Sequence, residues 1–446
     1  MAEMRFTLPC SPGLLCVDRF SLVESDEDEV PFWQIVETVL SSRTTNWGEL
    51  IEQLETISVS LRSSSLPDYD TLRDFLLDEW ELPQLFPEHT LPCLYGENRK
   101  LSLSRRQVAS LVVHQFLCTL PHQPWATDSS QDFHIWYSSG SRHPMATGAY
   151  LHSLFIYFER LAGAGPETES GPANPVPSPL ENDWPIIFTL RILQEDRITL
   201  LDSSLLDSGL CPLTVIHLPV ASTEPSLLGL PDGACVISAN KNVGFGQTGT
   251  QEEVQVGSSP ECCPVTLLTP TLQDNQVLVV QGAEAMAVIK GYGREARLDY
   301  VLTADYGLSS GDLQLSKWRQ RTMLFMDALQ LDQFGVSNGE VADLPPGHVD
   351  RELLKAYNAF RGSTDEGECN IYSEIVTGLW GCGAFGGSPR IKTLIQWCAA
   401  SMARTKLRIV LSGEEQGGFA RELSKTADMA RESSWTVRNI LESIGL

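Results

Sequence analysis

Basic side chains are scarce in this chain. Its 446 residues carry 32 Lys and Arg against 57 Asp and Glu, a formal net charge of −25. Attraction to a nucleic-acid backbone needs the opposite surplus. No direct sequence-specific nucleic-acid binding is therefore expected, and a phosphate ligand would have to be held locally by backbone N–H groups. Acidity that simply aids solubility is the other reading of the same charge. Long apolar runs are missing too. None reaches the length that crosses a bilayer, so no membrane partner is expected. The start, MAEMRFTLPCSPGLL, lacks a basic flank followed by an apolar core and does not read as a signal peptide. Regular cysteine spacing is absent: of 11 cysteines, Cys262 and Cys263 are adjacent and no CxxC pair occurs. That pattern points to reduced thiols of the nucleus and/or cytoplasm, without a disulfide framework or zinc site. Ser-His-Asp and metal-ligand spacings are also missing, so neither a serine hydrolase nor a metal or other cofactor is expected.

What is present suits a globular chain, with 42% hydrophobic residues. Residues 1–30 read as an irregular or disordered acidic N-terminus ending in ESDEDE at 24–29. Residues 31–185 read as a helical accessory domain. Phe32-Trp33, Val36 and Val39-Leu40 recur at helical spacing, and the pattern returns at 47–54, 72–80, 104–120 and 150–161. Ser104 suits a cap, and Val108, Leu111-Val112 and Gln115-Phe116 share a face on which His114 is an ordinary core-edge residue. Residues 163–183, rich in Pro, Gly and Ser, read as a flexible excursion. From 186 to 446 short β-type runs take over, at 186–193, 213–218, 235–238, 265–268, 277–280 and 407–411. They alternate with helical stretches at 318–331, 350–360, 391–403 and 419–441, which predicts an α/β domain.

Three segments can carry chemistry. In ACVISANKNVGFGQTGTQEEVQV (234–256) a strand runs into Asn240, then into Gly244, Gly246 and Gly249, then into Gln251, Glu252 and Glu253. Glycines let backbone amides approach a phosphate or sugar, and two carboxylates beside them suit sugar recognition and proton transfer. Read as extended chain, Glu252 and Glu253 point to opposite sides and divide the labour. A surface loop followed by two solvated acids is the other reading. GLWGCGAFGGSPR (378–390) places glycines around Ala384 and Phe385 just before a helix start, an anion site suited to a diphosphate, or a tight strand–helix connection alone. IKGYGR (289–294) sets Tyr292 between glycines on a tip, open to stacking by a purine or packed on the surface.

Together with ELPQLFPEHTLPCL, SRRQVASLVVHQFLCTLP, WRQRTMLFMDALQLDQF and DRELLKAYNAF, these segments resemble poly(ADP-ribose) glycohydrolases in the same order, from about residue 70 onward. The resemblance implies a macrodomain-like mixed sheet flanked by helices, an N-terminal helical accessory domain, and poly(ADP-ribose) or ADP-ribosylated proteins as partners in the DNA damage response. It implies hydrolysis of the ribose–ribose O-glycosidic bond, with Glu253 as general acid and then base. Glu252 and Asn240 would hold the terminal ribose hydroxyls. Gly244, Gly246, Gly383, Ala384, Phe385 and Gly386 would hold the diphosphate, and Tyr292 would stack on adenine with Gln251 nearby. The chain departs from the family pattern at Ile237, where an Asp is usual, at Leu379, where an Asn is common, and in a short loop whose glycine triplet is interrupted by Phe245. Phe245 must therefore point away from the phosphate. The departures keep two alternatives open: an ADP-ribose reader without turnover, and a mono-ADP-ribosyl hydrolase.

Overall fold

The computed structural model describes residues 4–41 except 20, 24 and 26–28, and then 82–96, 99–125, 132–137, 141–161, 184–194, 204–302, 318–333, 341–362 and 372–444. The expected helices at 47–54 and 72–80 and the 163–183 excursion lie outside them.

Strands are numbered along the chain. Three short ones, β1 (Arg5–Thr7), β2 (Leu15–Cys16) and β3 (Val30–Pro31), precede β4 (Thr90–Pro92) and β5 (Arg99–Leu103). Then come β6 (Ile186–Ile192), β7 (Leu213–Leu218), β8 (Ala234–Ala239), β9 (Gln276–Gln281), β10 (Ala287–Lys290) and β11 (Arg297–Val301). The last are β12 (Thr322–Asp327), β13 (Glu374–Thr377) and β14 (Lys406–Ser412). A mixed sheet of 8 strands dominates, in the order β5-β6-β9-β12-β8-β13-β14-β7. Strands β12, β8, β13, β14 and β7 run parallel, and β5, β6 and β9 complete the sheet by antiparallel pairing.

The inner strands β8, β9 and β12 are buried on both sides because both faces of the sheet are covered there. Along β8, Cys235, Ile237 and Ala239 join one core, while Ala234 and Val236 join the other. The first core lies under the helices Arg105–Phe116, Pro144–Leu161 and Gln251–Gly257. The second lies under His348–Phe360, Pro389–Met402, Gly417–Glu432 and Val437–Ser443. Ser104 caps the 105–116 helix in a capping box with Gln107, and His114 is fully buried within it.

Several local expectations are corrected. Residues 265–268, read as a strand, form the helical turn Val265–Leu268. The stretch 318–331, read as a helix, contains β12, all of whose residues are buried between β8 and β9. A short apolar run satisfies both periods, and position in the sheet decides. The N-terminus is not wholly irregular. Strand β1 pairs with β4, and Phe6 and Leu8 are fully buried in the first core. The stretch read as helical also supplies β5, which closes one side of the main sheet. Phe419–Leu441, read as one helix, is broken between Glu432 and Val437.

Candidate functional site

Three loops converge beyond the ends of β8 and β13, the side of an open α/β sheet on which ligands bind. The first leaves β8 at Asn240 and ends in the 251–257 helix. Thr250 caps that helix: its Oγ1 accepts from the Glu253 N–H, and Glu253 Oε2 accepts from Thr250 N at 3.1 Å and Thr250 Oγ1 at 2.8 Å. Thr248 Oγ1 also donates to Glu253 Oε2. Oxygen Oε1 lies against Gly246, where a Cβ would stand 2.0 Å from it. Gly246 is thus a glycine because the Glu253 carboxylate occupies the space of a side chain. The two glutamates are successive residues in the first turn of a helix, not residues of an extended chain. They diverge by the helical angle rather than by a strand's alternation.

Glu252 turns inward and is 7% exposed. Its Oε2 accepts from Asn240 N at 2.9 Å and its Oε1 from Gly244 N at 3.0 Å. Burial pushes its carboxyl up to about 8 against the pull of those two N–H groups, and the charges of Glu253 and Asp327 add to the rise. Gln251 spends its amide on β8, accepting from Ser238 N at 2.6 Å and donating to Val236 O at 2.9 Å. Asn240 accepts from Asn242 N at 3.0 Å in a local turn. Gly244 cannot carry a side chain either, since a Cβ would stand 2.7 Å from Thr266. Ile237 is fully buried among the apolar side chains of the first core.

The second loop carries Tyr292, 52% exposed. Its neighbour Gly293 donates to Gly249 O at 2.8 Å, which joins this loop to the first. Burial of part of the ring, and then the Glu253 carboxylate, raise the Tyr292 phenol. The third loop, 381–387, follows Trp380, whose indole donates to Met326 O at 3.0 Å. A Cβ at Gly383 would stand 2.9 Å from the Tyr292 hydroxyl, so the second and third loops touch. Phe385 O accepts from Leu331 N and Asp332 N, and its ring packs at the margin of the second core. The N–H groups of Gly383, Ala384 and Phe385 bond to no other described residue. Beneath the loop, Lys392 is buried with Glu352 and Asp343, and Asp343 accepts from Ser388 N at 2.7 Å. Leu379 packs at the margin of the second core.

The sequence-selected residues thus fall into one neighbourhood. Glu253, Glu252, Asn240, Gly244 and Gly246 stand around one turn, with Tyr292 and Gly383, Ala384, Phe385 and Gly386 across from it. Two family models match the chain. One, described as poly(ADP-ribose) glycohydrolase, helical domain, covers residues 71–173. The other, described as poly(ADP-ribose) glycohydrolase, Macro domain fold, covers 219–417. The chain belongs to the poly(ADP-ribose) glycohydrolase family. It is 28% identical over 266 residues to poly(ADP-ribose) glycohydrolase 1 of Arabidopsis thaliana, covering 47% of this chain and 48% of that protein. It is 23% identical over 370 residues to poly(ADP-ribose) glycohydrolase 1 of Caenorhabditis elegans, covering 79% of this chain and 41% of that protein. The match therefore spans about half of these relatives' length or less.

The macrodomain sheet and the family's helical domain meet at the first loop. Trp136 donates to Gly246 O at 2.8 Å, Tyr150 to Thr248 O at 2.6 Å, and Gln247 to Ile135 O at 2.8 Å. None of Trp136, Tyr150, Thr248 and Thr250 was singled out from sequence. Thr250-Gln251-Glu252-Glu253 does carry the T-x-x-E signature of a capping box, which announces a helix start at this point. Trp136 and Tyr150 carry no local signal, because they act across about a hundred residues of chain.

Proposed function

We propose that the protein hydrolyses the ribose–ribose O-glycosidic bonds of poly(ADP-ribose), releasing ADP-ribose, with Glu253 moving the proton. The reading rests on one observation. Two adjacent glutamates open the same helix in different environments: Glu252 is buried under two backbone N–H groups, and Glu253 is partly open beside Tyr292. All three of the donors to Glu253 reach Oε2, so the proton given to the leaving ribose oxygen departs from Oε1. Bond cleavage through an oxocarbenium-like state leaves a carboxylate that takes a proton from water as the water oxygen bonds the anomeric carbon. Glu252 braces the turn after β8, and its carboxyl, with Asn240, serves the ribose hydroxyls. The amides of 383–385 take the diphosphate and Tyr292 takes adenine.

Purified protein incubated with poly(ADP-ribose) is expected to release ADP-ribose, and Glu253→Gln to lower kcat by at least about 100-fold. No release at micromolar enzyme would overturn the proposal. A second reading, ADP-ribose binding without turnover, draws on the threefold tie of Glu253 Oε2 to its own loop. It predicts binding by calorimetry that survives Glu253→Gln. A panel that includes mono-ADP-ribosylated protein separates a different leaving group from both.

A further inference from the structure

We infer that Phe245, seated among aromatic side chains of the helical region, is the positioning residue that aims Glu253; the inference rests on the reading of Glu253 as the proton-transfer group. Phe245 interrupts the glycine triplet, and its ring is 8% exposed. It lies 5.0 Å from the Phe133 ring and 5.2 Å from Trp136. Phe133 and Trp136 stack at 4.5 Å, and Trp136 meets Tyr150 at 5.4 Å. The side chain thus points away from the phosphate side, as the sequence required, and it does so into a socket that the sheet itself does not supply.

The residues on either side of this anchor touch the carboxylate. Gly246, whose carbonyl is held by Trp136, leaves room for Glu253 Oε1. Thr248, whose carbonyl is held by Tyr150, donates its hydroxyl to Oε2. Both oxygens of Glu253 are therefore set by residues one and three positions beyond Phe245, and each of those residues is tied to the helical region. The segment between Gly246 and Gln251 has only four residues, QTGT, so little chain is available to absorb a displacement. A glycine at 245 would empty the socket and add conformational freedom at the loop's anchor. The loop would then be tied to the helical region only by the hydrogen bonds of Gly246, Gln247 and Thr248, without the packed ring that fixes their register.

The deciding variant is Phe245→Gly, which restores the family's unbroken triplet. If the glycine served only close approach of phosphate, the variant would match or exceed the wild type. Positioning predicts instead a fall in kcat of about 100-fold with KM within about threefold, because the error lies in aim and not in binding. Amide hydrogen exchange over 244–250 should quicken at least about tenfold, with calorimetric affinity for ADP-ribose unchanged. Phe245→Leu, which refills the socket, should recover most of kcat. Tyr150→Phe keeps the ring and loses one hydrogen bond; it should lower kcat about tenfold while the melting temperature drops by only a few degrees. Wild-type kcat in Phe245→Gly, or unchanged exchange over 244–250, overturns the inference. Should Phe245→Gly fail to fold, unchanged kcat and exchange in Tyr150→Phe overturn it. If the wild type releases no ADP-ribose, the glycohydrolase reading falls, and the exchange measurement still decides the role of Phe245.

Discussion

Replacing Gly246 with Ala separates activity from stability. A Cβ there would lie 2.0 Å from Glu253 Oε1 and 3.0 Å from its Cδ. To regain ordinary contact, Oε1 must retreat by roughly 1.4 Å. Gly246 is not among the glycines with positive φ, so Ala adds no backbone strain of its own. The clash falls on the end of a flexible side chain, and the fold absorbs it cheaply. Swinging Glu253 aside weakens the capping box, worth about 1 kcal/mol, so the melting temperature should drop by only a few degrees. A displacement of about 1 Å at the proton donor, by contrast, costs about 100-fold in kcat. Release of ADP-ribose, followed chromatographically beside a thermal melt, reads both quantities. A Gly246→Ala enzyme with kcat within a few-fold of wild type would refute the placement of Oε1 as the reacting oxygen.

Glu252 gives a pH signature. Its folded value of about 8 lies above the ordinary carboxylate range, so folding favours the protonated form. The stability it contributes is complete below about pH 4.5 and is lost as pH rises through 8. Denaturant titrations at a series of pH values should therefore show wild type losing stability relative to Glu252→Gln, by up to ~1.4 kcal/mol per pH unit. Arg105 is buried against Glu261 at 2.7 Å and Glu284 at 2.9 Å, so Arg105→Ala leaves two buried carboxylates without their main partner. We expect a loss of about 3–5 kcal/mol in urea unfolding. Tyr292→Ala should weaken ADP-ribose binding by about 1–3 kcal/mol in calorimetry while leaving the melting temperature in place, since the ring is half exposed.

Much of the fold was legible because burial on two faces writes itself as an unbroken apolar run. VLVVQG holds β9 and ACVISA holds β8, whereas in LRIVLSG, which holds β14, buried Leu407, Ile409 and Leu411 alternate with half-buried residues. The same rule failed at β12, where TMLFMD offers Met and Leu, good helix formers, and only its neighbours β8 and β9 make it a strand. At the site, the glycines and glutamates stood out by residue type. Their geometry did not, since the reading as extended chain overlooked Thr250 as a cap. The aromatic socket of Phe133, Trp136 and Tyr150 had no sequence signature. Its members are separated from Phe245 by 95 residues or more, and each taken alone resembles ordinary core.

The place of β5 bears on how the protein can be cut. The region matched to the Macro domain fold, 219–417, omits β5 and β6 at one side of the main sheet and β7 at the other. It also omits most of the 417–432 helix and all of the 437–443 helix, which cover the second core. A fragment trimmed to those limits would expose β9 and β14 as bare, apolar edges, the kind of template on which strands from other molecules assemble. Such a fragment should aggregate on expression. Soluble material calls for a start upstream of Arg99, with its edge strand and capped helix kept together as one unit, and an end beyond Ser443.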